Sequence, residues 1–383
     1  MMTKNSDAMD DHAMDDHATA LVSSVWIVIF DRLSFDESCD QLDLESTFFE
    51  QFMLQDMKST AGRADLFGGE PAFQKLATVM TASEQTVALI RLTTNGRGAD
   101  DNCEREDMDA AMRRCGVPVN SVVDFHCGQT EASQPQTSWS SEVSSVVSAN
   151  LVWIEASSGL ASESANGPRD ILRFVEGLLR IRSSQHAKPP VLIVTCRIGD
   201  DLQVREPLQC GVSENRMHVP LWIRHGAAHA CRVQALAGSF DLLPTVAEFL
   251  GHTLPHEGVR PRVTSGMASE NASDASDADE SPLSSPLQLS ADPMSLVRLC
   301  GAPQVCTDRL LKLSGDGWKA ARTEHFLLVI SDPAKTESDG HDSEESSRRL
   351  FVKPDDRFNV SDVAGTYVTV ADELTGLLEQ STS

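Results

Sequence analysis

Four short apolar runs limit this chain more than any other feature of its sequence. They are Val25-Trp-Ile-Val-Ile-Phe30, Val87-Ala-Leu-Ile-Arg-Leu92, Leu151-Val-Trp-Ile154 and Val191-Leu-Ile-Val-Thr195. Each is rich in β-branched residues, short, and close to continuously hydrophobic, the pattern of a strand buried on both faces of a parallel sheet. The stretches between them are long enough for crossover helices. Between the last two, Pro168 suits a first helical turn, and Ile171, Phe174, Val175, Leu178 and Leu179 recur at helical spacing. The expected fold is α/β, with a largely parallel or mixed central sheet flanked by helices.

Asp31 directly follows the first run. Open α/β sheets bind ligands just outside the carboxyl ends of their strands, so the search for a site begins at Asp31.

The rest of the 383 residues divide by composition. Residues 1–20 repeat Ala-Met-Asp-Asp-His without apolar periodicity and are expected to be a disordered acidic tail. Residues 21–256 hold the α/β core. From 257 to 292, Ser, Asp, Ala and Pro dominate and leave little to bury, as in a flexible linker or surface loop. In 293–383, His325-Phe-Leu-Leu-Val-Ile330 and Arg349-Leu-Phe-Val352 are expected strands, and 367–379 an expected helix. Together they make a small C-terminal antiparallel sheet plus helix.

A formal net charge of -25 repels nucleic acid and anionic membrane, so neither is an expected partner. The acidic segments instead suit a basic partner protein. No apolar run reaches the roughly 18 residues of a spanning helix, and the first 20 residues lack the apolar stretch of a signal peptide, so a cytoplasmic location is expected. The nine cysteines include no CxxC pair and are expected to be free thiols.

The segment from Val191 to Pro255 reads VLIVTCRIGDD, then HVPLWIRHG, then FDLLPTVAEFLGHTLP. In order and spacing these pieces resemble the sulfatase branch of the alkaline phosphatase superfamily, with its Asp-His-Gly after a strand, its RVPL strand and its DLLPT helix. VWIVIFDRLSFD at the start is similar to the opening strand of that family, as are Ala321-Arg-Thr-Glu-His-Phe326 and Leu350-Phe-Val-Lys-Pro-Asp355 to its closing strands. Within the DLLPT piece, Asp241 is placed to cap the helix that Pro244 helps to start, with Leu242, Leu243, Val246 and Leu250 toward the core.

The resemblance implies a formylglycine nucleophile made from Cys or Ser in C/S-x-P/A-x-R, and a divalent cation, usually calcium, on the sulfate oxygens. The fit to that pattern after Asp31 is Ser59-Thr-Ala-Gly-Arg63, which makes Ser59 the nucleophile position and Arg63 its partner. Asp31 matches the first metal ligand. The next position is Arg32, however, and the family's Asp-His before Gly199 is here Arg197-Ile198. Three ligand positions thus cannot hold a hard cation. Arg32, Arg63 and Arg197 could converge on a small anion or anionic ester, or could pair with Asp31, Asp36 or Asp200 as structural salt bridges. His126, His225 and His229 are candidate general acids or ligands.

Three functions are therefore open: a degenerate, inactive or weakly active sulfatase-like protein; a working sulfate or phosphate ester hydrolase using Ser59; and an acidic platform for protein partners. No cofactor is expected, and calcium only if ligands elsewhere restore the site.

Overall fold

In the computed structural model the described residues are 22, 24–33, 46–57, 64–94, 108–127, 140–156, 167–185, 188–199, 214–226, 230–254, 263–264, 289–300, 306–331, 347–356 and 359–380. The tail over 1–20 and most of the stretch over 257–292 lie outside them.

Eight strands form the central sheet: β1 (Val25–Phe30), β2 (Thr47–Met53), β3 (Val87–Thr94), β4 (Val119–Cys127), β5 (Leu151–Ala156), β6 (Val191–Cys196), β7 (Leu221–Arg224) and β8 (Cys231–Gly238). Their order is β4-β3-β5-β1-β6-β7-β2-β8. The four apolar runs of the sequence are β1, β3, β5 and β6, and they lie side by side and parallel at the centre. All six residues of β1, β5 and β6 are buried, which is why no polar alternation marks them. Only β7 runs against its neighbours, β6 and β2, so the sheet is mixed.

Helices α1 (Gly69–Ala82), α2 (Met108–Arg114), α3 (Ser140–Ser148), α4 (Gly167–Gln185) and α5 (Leu242–Phe249) accompany the sheet. Each buries an apolar stripe: Phe73, Leu76 and Met80 on α1, and Ile171, Val175, Leu178 and Leu179 on α4. Phe67, just before α1, meets the buried Trp153 of β5 edge-on at 5.4 Å, and Phe73 follows at 6.0 Å. Arg182 of α4, almost wholly buried, donates to the Val147 and Ala149 carbonyls and closes the exit of α3.

β9 (Val263–Thr264) pairs with β10 (Cys306–Thr307), and a four-stranded antiparallel sheet follows: β11 (Leu311–Gly315), β12 (Trp318–Arg322), β13 (Phe326–Ser331) and β14 (Arg348–Val352). One face of that sheet packs Leu311, Leu313, Leu327 and Phe351 against Met53, Met217 and Leu236 of the larger domain. The other packs Leu328 and Leu350 against Ala371, Leu374 and Leu378 of α6 (Val368–Glu379).

Asp241 does not cap α5 with its side chain. Its Oδ2 turns back to accept the Gly238 N–H at 2.7 Å, and its Oδ1 accepts the Met294 N–H at 2.8 Å. Arg309 binds both carboxylate oxygens, at 2.6 and 2.9 Å. Thr245, in the same motif, donates to the Asp241 carbonyl at 2.6 Å and accepts the Leu296 N–H at 2.9 Å. The capping expectation fails because a guanidinium 68 residues away competes for the same carboxylate. The DLLPT piece is instead the anchor that holds the 289–300 segment and the small sheet to β8.

Candidate functional site

At the carboxyl ends of β1, β5 and β6 the chain places Asp31, Glu155 and Arg197. Arg197 Nη1 lies 3.0 Å from Asp31 Oδ1, and Arg197 Nη2 lies 3.2 Å from Glu155 Oε1. The first contact is an ion pair, and the second is both an ion pair and a hydrogen bond. The side chains are 14% (Asp31), 4% (Glu155) and 11% (Arg197) exposed, so the group is largely removed from water. Its position follows from register. Ile29 pairs with Glu155 and Thr195, and Asp31 and Arg197 each follow two residues later on the same face. The backbone fixes the level: Asp31 N–H donates to the Ala156 carbonyl at 3.0 Å, and Arg197 N–H to the Phe30 carbonyl at 2.9 Å.

The charged row continues outward. Glu155 is in register with Arg91 of β3, and Arg91 with Asp124 of β4. Arg91 Nη1 lies 3.5 Å from Asp124 Oδ1. In strand order the charges run Asp124, Arg91, Glu155, Asp31, Arg197, so each carboxylate has a guanidinium on an adjacent strand.

Asp31 and Arg197 are brought together as the sequence suggested; Arg32, the next residue, is exposed. Ser59 and Arg63 lie outside the described residues, as do Asp36, Asp200 and His229. His126 lies on β4 in register with Thr93, at the same rim. His225 is far from it. It follows β7, whose last residue, Arg224, is in register with Leu192 near the amino end of β6. There its ring packs on Phe249 at 5.6 Å, and burial lowers its pKa. It cannot serve as acid or ligand beside Asp31.

Glu155 is the rim residue that the sequence reading passed over. A signal existed: it is the lone charged residue in Leu151-Val-Trp-Ile-Glu-Ala156, at the end of an otherwise apolar strand. A charge there is affordable only with a partner, and Arg197 on the next strand but one supplies it.

Among the described residues, the donor set at this rim does not suit a hard divalent cation. Among the described residues no three His, Cys, Asp or Glu side chains converge as a metal site would require. Calcium takes six to eight oxygens, and Asp31 and Glu155 offer four at most. The guanidinium already bridges the two carboxylates that such a cation would bridge. A divalent ion roughly 4 Å from it would be repelled by about 8 kcal/mol at an effective dielectric near 20. Expelling Arg197 instead would leave a buried charge unpaired. An anion reaching Arg197 would likewise compete with two carboxylates, since the triad of Asp31, Glu155 and Arg197 has a formal charge of -1.

No protein-family model matches this sequence, and no curated protein is similar to it. Solved structures are similar in fold. A Bacteroides thetaiotaomicron protein described with the metabolism of multiple glycosaminoglycans is 11% identical, with a TM-score of 0.56 over 94% of this chain and 99% of its own. A sulfatase candidate from Bacteroides fragilis, yidJ, is also 11% identical, with a TM-score of 0.56 over 94% and 95%. The PsFucS1 sulfatase from Pseudoalteromonas sp. is 9% identical, with a TM-score of 0.52 over 94% and 90%. The chain thus shares the fold of these sulfatase structures: a mixed eight-stranded sheet flanked by helices, with a four-stranded antiparallel sheet beside it. Among the described residues no helix is long and apolar enough to cross a membrane.

Proposed function

We propose that this protein is a metal-independent, non-hydrolytic version of the sulfatase fold, in which the Arg197 guanidinium is a built-in cation at the rim where sulfatases resemble one another in holding a metal. The observation that carries the reading is the clamp of Arg197 between Asp31 and Glu155, at 3.0 and 3.2 Å.

Metal-dependent ester hydrolysis needs a cation whose coordination sphere has open positions for substrate oxygens. A guanidinium held by two carboxylates lacks that property. It is charged at all working pH values, its donors point in fixed directions, and its charge is offset within the protein. What remains is a rigid rim that can position a partner or ligand without turning it over. The protein is then a binding or scaffold module, its acidic segments suited to a basic protein surface.

The test pairs calcium calorimetry with aryl sulfate turnover, measured with and without a chelator on the full chain. The expected result is no binding heat and no chelator-sensitive turnover. Tight calcium binding with metal-dependent turnover, abolished by Ser59→Ala, would replace this reading with that of a working hydrolase.

A further inference from the structure

Away from the rim, two cysteines converge on one buried hydroxyl. Cys231 opens β8, and its Sγ lies 3.6 Å from Thr47 Oγ1 and 3.9 Å from the Cys300 carbonyl oxygen. Cys300 closes the single helical turn Val297–Cys300, and its thiol also addresses the Thr47 hydroxyl. Both are free thiols. Thr47 is fully buried at the start of β2, Cys300 is buried, and Cys231 is partly exposed. A disulfide requires two cysteines whose backbones lie a few ångströms apart, and Cys231 Sγ already reaches to 3.9 Å from the Cys300 backbone carbonyl.

We propose that Cys231 and Cys300 are a modification site, forming a reversible disulfide that staples the 289–300 segment to the start of β8. Nothing in it depends on the chemistry of the Asp31 rim.

The chemistry balances with a low-molecular-weight disulfide such as oxidised glutathione. Burial pushes the Cys300 thiol up to about 12, which makes it a poor first nucleophile, whereas Cys231 is the more open sulfur. The Cys231 thiolate attacks one glutathione sulfur, forming a mixed disulfide and releasing one glutathione. Cys300 then attacks Cys231 Sγ, the bond to the second glutathione breaks, and the Cys300 proton leaves on that thiolate. Two protein thiols are oxidised, and one oxidised glutathione becomes two reduced ones.

The staple reinforces a segment already pinned at its other end. Met294 and Leu296 N–H donate to Asp241 and Thr245, whereas Cys300 bonds within its own turn, its N–H donating to the Leu296 carbonyl, and meets β8 through the weak Cys231 Sγ contact. The disulfide would close a loop of 69 residues' separation, long enough to restrain the unfolded chain appreciably.

Folded full-length protein is incubated with excess oxidised glutathione, alkylated, digested without reduction and mapped by mass spectrometry. The expected product is a Cys231–Cys300 cross-linked peptide pair, lighter by two hydrogens and lost on adding dithiothreitol. Cys300→Ser should arrest the reaction as a stable glutathione adduct on Cys231, with the melting temperature of the untreated variant unchanged. Persistence of both thiols while other cysteines oxidise would overturn the proposal, as would a stable Cys231 adduct in the unsubstituted chain.

Discussion

Arg309 holds Asp241 by both carboxylate oxygens, at 2.6 and 2.9 Å, with the two side chains 2% and 0% exposed. The pair joins the turn between β8 and α5 to the strand region before β11, and Met294 N–H and Gly238 N–H complete the carboxylate's partners. This buried ion pair is thus one of the connections between the large sheet and the small one, beside the apolar packing of Leu311, Leu313, Leu327 and Phe351 and the backbone bonds of Ser314 with Gln55 and Met57.

Breaking that pair one side at a time should be costly. Arg309→Met leaves Asp241 charged and buried, and a loss of about 3–5 kcal/mol is expected in denaturant unfolding. The double variant Arg309→Met with Asp241→Leu should lose less than Arg309→Met alone, because no orphan charge remains. Equal or greater loss in the double variant would show that the carboxylate's bonds to the backbone, not the ion pair, carry the junction.

The sheet's centre was legible in the sequence because strands buried on both faces are close to continuously apolar, and β1, β3, β5 and β6 are so except toward their carboxyl ends. Helix α4 was legible through its stripe. β2, Thr-Phe-Phe-Glu-Gln-Phe-Met, and β8, Cys-Arg-Val-Gln-Ala-Leu-Ala-Gly, were not, since their polar residues interrupt the run where one side faces solvent. Half of the rim was also legible: Asp31 and Arg197 follow directly on readable strands. Glu155 was hidden because a lone charge at a strand end looks like a boundary until its partner is known. Asp241 misled for the opposite reason. Its local pattern is that of a helix cap, and only a contact across the chain reveals that its carboxylate is already engaged.

The rim triad should respond unequally to single and double changes. Asp31→Asn and Glu155→Gln each leave Arg197 one carboxylate, and each should cost about 1–2 kcal/mol in urea unfolding. The Asp31→Asn, Glu155→Gln double variant strands the guanidinium and should cost more than the two singles together, by at least 0.5 kcal/mol or so. Strict additivity would mean that the two carboxylates do not share Arg197.

His225 gives the protein a pH dependence of known sign. Burial lowers its pKa below the usual 6.5, so the folded state holds fewer protons at this site than the unfolded state as pH falls. The stability it contributes is present above that ordinary value and is lost as pH drops through it toward the depressed one. The melting temperature should fall between pH 7 and 5, and His225→Gln should reduce the slope. An unchanged slope would show that other groups alone set the acid limb.

The central claim is that Arg197 stands in place of a metal, and calcium calorimetry on Arg197→Asp beside the unsubstituted chain tests it most directly. The substitution removes the internal cation and adds a third carboxylate to Asp31 and Glu155, the residue type that the resemblance to sulfatases implies before Gly199. The account predicts no binding heat for the unsubstituted protein and a saturable, calcium-dependent heat for the variant, accompanied by a calcium-dependent rise in melting temperature. Calcium binding by the unsubstituted chain, equal to or tighter than that of the variant, would contradict it.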